Sequence, residues 1–162
     1  MKNVLLMRHA KSSWKDGSLP DHQRPLNARG KGDAPRMGRH LREQDLHIDA
    51  ILSSTAVRAR ATAEGFLKEY PFEDEVLYYD DLYQAGPETI ISVLNQLPDR
   101  VGTALVIGHN PGLDEFLEIV CDECGHMPTA CVAYIKYHLE HWMDLREYSK
   151  GELVQLWKPR EL

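Results

Sequence analysis

The sequence predicts an α/β fold, a single-domain three-layer sandwich with a mostly parallel central sheet and helices on both faces. Three observations lead there. Short apolar runs alternate with amphipathic stretches along the 162 residues. Three of those runs end in Arg8-His9, Ser53-Ser54 and Gly108-His109. Polar groups therefore gather at strand C-termini, where open α/β sheets bind ligands. No repeat, low-complexity stretch or linker interrupts the pattern, so residues 1–162 are expected to form one domain.

Taken in order, Val4 to Met7 is a buried strand. Gly17 to Arg24, polar and containing Pro20, is expected to be a loop over the ligand-binding edge. Asn27 caps a helix running to about Gln44, with Met37, Leu41 and Asp45 marking its later turns. Two glycines and Pro35 weaken its first half. Ala50 to Ser54 is a second strand, followed by a helix from about Ala56 to Tyr70 that Pro71 closes. Val76 to Tyr79 is a third strand, and Pro87 opens a helix to about Gln96. Thr103 to Gly108 is the clearest strand, and the Gly108-His109-Asn110-Pro111-Gly112 turn leads to a helix from Leu113 to about Val120. Ala130 to His138 and Glu152 to Trp157 complete the set as strands, with Lys136 and His138 on one face of the former.

Composition narrows the function. Charged residues make up 27% and hydrophobic ones 43%, as in ordinary globular domains. A net charge of -6 argues against a general nucleic-acid binder, which needs clustered Lys and Arg. No run approaches the ~18 apolar residues of a membrane span. Only Lys2 and Asn3 follow the initiating Met1 before the first strand, which does not read as a signal peptide. A cytoplasmic location is the expectation, without nucleic-acid or membrane partners. The odd set Cys121, Cys124 and Cys131 fits reduced thiols.

The chemistry lies at the three strand ends. The first delivers Arg8 and His9, the second delivers Arg58 on the following helix turn, and the third delivers His109. Neighbouring parallel strands would converge these four side chains on one pocket. Two arginines and two imidazoles suit a dianionic phosphoryl group and its transfer transition state. Arg60 rivals Arg58, but points to another face of the helix, and the spacing to Thr62 favours Arg58.

These segments resemble the histidine phosphatase superfamily, known also through the phosphoglycerate mutases. Arg8-His9-Ala10 stands for its Arg-His-Gly hallmark, Ser53 to Thr62 for its second-arginine segment, and Gly108 to Gly112 for its second-histidine segment. Within it the chain is most similar to the small SixA-type phosphohistidine phosphatases. The features are Arg-His-Ala-Lys-Ser-Ser-Trp, Asp21, Arg24-Pro25-Leu26-Asn27 with Arg29-Gly30, and Gly-His-Asn-Pro-Gly. The resemblance covers Val4 to Pro159. It implies the phosphoglycerate mutase-like fold, His9 as a nucleophile that becomes phosphorylated, and Arg8, Arg58 and His109 as phosphoryl-binding groups. It also implies no metal or cofactor, since the arginines supply the charge a magnesium ion supplies elsewhere. The Nδ1 or Nε2 not used in attack is expected to donate to an acceptor such as a backbone carbonyl.

Lys11, Ser13, Lys15 and Asn110 are further candidates for phosphate or substrate contact, and Trp14 packs the loop down. Arg24 is expected to be structural, paired with Asp21. Ala10 replaces the usual glycine, which needs a negative φ there. Lys15 stands where many members carry asparagine. Larger members use a carboxylic acid as proton donor. Here Asp80-Asp81 precede its expected place, and Asp21, His22 and Glu88 are the other candidates. A phosphohistidine substrate fits that gap, because imidazole leaves more easily than an alkoxide.

Cys121, Cys124, His126 and Cys131 have some metal-ligand character. They lack a second knuckle, and Cys121 on a helix face reads as core, so no metal is assigned. The expected substrate is a phosphorylated protein, such as a histidine phosphotransfer domain. A small phosphorylated metabolite is the alternative, and a non-catalytic phosphate-recognition module is another that the intact His9 argues against.

Overall fold

The computed structural model describes residues 1–121 and 125–162. Six strands form one sheet: β1 (Lys2–Arg8), β2 (Ala50–Ser54), β3 (Leu77–Tyr79), β4 (Thr103–Gly108), β5 (Val132–Tyr137) and β6 (Gly151–Trp157). Their order is β3-β2-β4-β1-β5-β6. The first four are mutually parallel, and β5 and β6 each run antiparallel to the neighbour before them. Val4, Leu5, Leu6 and Met7 are all fully buried, which is why β1 reads as an unbroken apolar run rather than an alternating one.

Four helices cover the sheet: α1 (Ala28–Glu43), α2 (Val57–Leu67), α3 (Pro87–Asn95) and α4 (Gly112–Val120). The two-residue period of β1 sorts them. Leu5 and Met7 pack with Met37, Leu41 and Phe66 of α1 and α2. Val4 and Leu6 pack with Leu94, Phe116 and Leu117 of α3 and α4. The expected three layers are present. Among the described residues, no helix is long and apolar enough to cross a membrane.

Local chemistry explains the boundaries. Asn27 caps α1 by accepting from the Gly30 N–H at 2.9 Å. The helix runs through Pro35, whose ring packs near Gly65 of α2, and Lys31, the residue that loses its hydrogen-bond partner, is exposed. Asp45 lies beyond α1 rather than in a helical turn, at φ 57°, a left-handed position that a short polar residue tolerates. Helix α2 stops at Leu67, three residues short of the expected Tyr70, as the backbone tightens to three-residue bonds from Lys68 to Gly65 and from Glu69 to Phe66; the Tyr70 hydroxyl bonds the Leu46 and Ile48 backbone. Val76 and the ends of the expected Ala130–His138 strand fall outside their strands.

Candidate active site

Parallel pairing brings the three strand ends level. Arg8 sits opposite Gly108 on β4, and Ser53 of β2 sits opposite Ile107. The His9 N–H continues the ladder by donating to the Gly108 carbonyl at 3.0 Å. His9, Arg58 and His109 are buried, at 7%, 5% and 5% exposure. With half-buried Arg8 they line one cavity of about 340 Å³. The His9 and His109 ring centroids are 5.1 Å apart. All four strand-end residues meet, as their spacing predicted.

His9 is held in one tautomer. Its Nδ1–H donates to the Ala10 carbonyl at 2.7 Å, which leaves Nε2 bare. Burial, helped by the charges of Arg58 and Arg8, pushes its pKa down to about 4 against the opposing pull of that carbonyl. Ala10 has a negative φ and accommodates the missing glycine. Its N–H donates to Thr62 Oγ1 at 2.9 Å, and the Thr62 hydroxyl donates to the Arg58 carbonyl at 2.7 Å. Thr62 thus ties the His9 turn to the helix that carries Arg58. Arg60 leaves this face, lying 3.9 Å over the Tyr78 ring.

Arg58 grips Asp21, through its backbone carbonyl at 2.7 Å and its carboxylate at 2.9 Å. The Tyr83 hydroxyl donates to that carboxylate at 2.6 Å and Arg24 Nε donates at 3.1 Å. Tyr83, followed by Arg58 and Arg24, holds the Asp21 carboxyl well below the usual carboxylate range. Asp21 is therefore held as a carboxylate. Glu88 is exposed and outside the cavity lining, and His22 bonds Thr55 at 3.0 Å.

His109 faces Ser54, with Nε2 2.8 Å from its hydroxyl, and burial followed by the influence of His9 and Arg58 lowers its pKa to about 3. Five side-chain atoms among the described residues are buried without a hydrogen-bond partner, and three belong to this cluster: Arg8 Nε, Arg58 Nε and His109 Nδ1. Buried polar groups are nearly always satisfied, so three orphans around one histidine mark a place where a polyanion belongs.

The other candidates divide. Lys11 and Asn110 line the cavity. The Asn110 amide is already committed, accepting from the Asp114 N–H at 3.0 Å and donating to the Met127 carbonyl at 3.1 Å. Ser13 and Lys15 lie outside the lining, with the Ser13 hydroxyl accepting the Lys15 N–H at 3.2 Å. Arg24 pairs with Asp21 as expected, but also lines the cavity. It donates to Ser12 Oγ at 2.6 Å and lies 3.5 Å over the Trp14 ring. Trp14 is 71% exposed at the cavity wall rather than packed down. Tyr83, which bonds Asp21, and Thr129, which lines the cavity, had no signal in sequence, whereas Ser54 had one in its place at a strand end.

In the cysteine loop, Cys124 lies outside the described residues. Cys121 follows α4 rather than sitting on its face, and the buried Cys131 thiol is pushed up to about 12 by desolvation. The His126 ring bonds Asp114 at 2.7 Å and lies 3.4 Å from Arg8.

Comparison with known proteins agrees with this geometry. Residues 4–82 match the model of the histidine phosphatase superfamily (branch 1). An uncharacterized Mycobacterium tuberculosis protein is 35% identical over 95% of this chain and its own full length. Two SixA structures share the fold over 98% of this chain. That of Agrobacterium tumefaciens superposes at TM-score 0.82 with 27% identity over 98% of its length. That of Nakamurella multipartitia superposes at 0.85 with 28% identity over 96% of its length. Taken with the sheet order and the paired cations and imidazoles at its edge, these matches show that the chain belongs to the histidine phosphatase superfamily (branch 1) and is a phosphatase of SixA-like fold.

Proposed function

We propose that the protein is a metal-independent phosphatase that forms a phosphohistidine on His9 and acts on phosphohistidine in a protein. The observation that carries the mechanism is the set of three orphan nitrogens around a histidine whose Nε2 is bare. Arg8, Arg58 and His109 receive the phosphoryl oxygens. The Nε2 lone pair attacks phosphorus as the bond to the leaving group breaks, and that group departs with the electron pair. A water then attacks phosphorus, the P–N bond returns its electrons to His9, and phosphate leaves.

The substrate class follows from the missing acid. Asp21 is spent as an ionised anchor for Arg58, and among the described residues no other carboxyl lines the cavity. A leaving imidazole takes its proton from solvent more readily than an alkoxide does. The SixA proteins that share the fold are in keeping with this substrate.

The test offers the purified protein a histidine-phosphorylated phosphotransfer domain and a panel of phosphorylated metabolites. Fast loss of protein phosphohistidine supports the reading, and a preference for a metabolite overturns the substrate. His9→Ala is expected to lose at least about a thousandfold in kcat while keeping its circular dichroism spectrum. Turnover retained in that variant overturns the nucleophile.

A further inference from the structure

A second cavity, about 570 Å³ in volume, opens beside the first and shares Arg8, Lys11 and Thr129 with it. Its walls come from four parts of the chain, one of them the His126–Thr129 segment before β5. The β1 end supplies Arg8 and Lys11, α1 supplies Arg29 and Arg36, and the segment after β6 supplies Lys158 and Arg160. Among the described residues, Asp33 and Glu161 are the carboxylates that stand against these six cations. That excess occurs in a chain whose net charge is -6, so it is a local concentration rather than a general property.

Pairing does not remove it. Arg29 and Arg36 share the single Asp33 carboxylate, at 3.8 and 3.5 Å. Arg36 also donates to the Pro159 carbonyl at 2.9 Å, which ties the C-terminal wall to α1 and keeps the cavity shaped without neutralising it. The Lys11, Lys158 and Arg160 side chains have no hydrogen-bond or ion-pair partner among the described residues. Arg8 belongs to both cavities and keeps a buried Nε without a partner.

We propose that this cleft is a second anion subsite, and that the protein takes a small ligand carrying two phosphate groups on a short tether, one in each cavity. The shape argues for a compact anionic group rather than a protein face. Cations approach from several sides of a recess whose volume lies in the range of small-molecule sites. Phosphate groups match a mixture of guanidinium forks and ammonium groups. The inference rests on the His9 cavity holding a phosphoryl group but not on the leaving group, and such a ligand would compete with the proposed protein substrate for that cavity.

The test is calorimetric titration of the full chain with orthophosphate and with tripolyphosphate, at low salt. Tripolyphosphate is expected to bind at least about tenfold more tightly. Lys158→Glu with Arg160→Glu is expected to abolish that preference while leaving orthophosphate affinity within about twofold. A control pair of reversals at exposed cations elsewhere, Arg100→Glu with Lys150→Glu, separates a site from bulk charge. Equal affinity for the two anions in the unmodified protein, or the same loss in the control, overturns the subsite. A hexaglutamate peptide that displaces tripolyphosphate at lower concentration overturns the phosphate assignment in favour of an acidic protein segment. Failure of orthophosphate alone counts instead against the His9 pocket.

Discussion

Burial gives His9 what a neighbouring base gives other nucleophiles: a ring that stays unprotonated in ordinary buffers. Its pKa of about 4 and that of His109 near 3 both lie below the ordinary value of 6.5. On acidification the unfolded chain takes up protons first, so folding stability falls as pH drops from about 6.5 to about 3, and the depressed Asp21 carboxyl extends the loss to lower pH. Urea titrations at several pH values check this, and a midpoint that stays flat across that window contradicts it. The acid limb of kcat/KM, corrected for substrate ionisation, is expected near pH 4 rather than 6.5, since that parameter reports the free enzyme. Asp21→Asn makes a different point. It weakens the grip that orients Arg58 and is expected to lower kcat/KM about 10- to 100-fold, whereas Arg60→Ala changes it little. Equal effects of the two variants would show that the wrong arginine has been placed in the pocket. The four strand-end residues were legible because a strand fixes where its last side chain lies. Tyr83 and the cavity-lining place of Arg24 were not, because they depend on how the loop before α1 and the segment after β3 fold over the edge.

Elements hold these side chains through a few close approaches. The segment after His9 is laid on the start of α1: Asn27 N–H donates to the Lys11 carbonyl at 2.9 Å, and Ser13 N–H donates to the Pro25 carbonyl at 2.8 Å. A Cβ at Gly30 would sit 2.2 Å from the Lys11 carbonyl oxygen, which leaves no room for any side chain. Gly30→Ala is therefore expected to cost about 1–3 kcal/mol of stability and to depress activity with it. Differential scanning calorimetry measures the first, and an unchanged Tm refutes the close packing. Such an approach also explains Gly30, one of the two glycines that weakened the sequence case for α1, whereas nothing in the structure explains Gly32, which has open space around it. Low helix propensity was the cost of contact with a neighbouring backbone, and propensity alone has no means of seeing that contact. Strands Ala50–Ser54 and Thr103–Gly108 were legible to the residue, because a strand covered on both faces has an unbroken apolar centre that small or polar residues bound at its ends.

At the scale of the molecule, an acidic chain gathers Arg8, Lys11, Arg24, Arg58 and the cations of the neighbouring cleft around the C-terminal edge of the parallel strands. Substrate capture is therefore expected to be salt-sensitive despite the net charge of -6. Raising ionic strength from about 10 mM to about 500 mM is expected to lower kcat/KM several-fold for an anionic substrate, and to leave kcat nearly unchanged. A salt-independent kcat/KM would mean that the local charge does not reach the approaching ligand. The sheet order also decides where the chain's ends fall. β6 runs in the same direction as β1, with Trp157 paired to Val132 and Val132 paired to Met7, so Trp157 lies at the edge that carries the pocket. Residue 1 lies at the opposite edge. Anything fused behind Leu162, an affinity handle or a reporter included, would hang beside the cationic cleft and compete for it, while the same addition ahead of Met1 would stand a full strand length away.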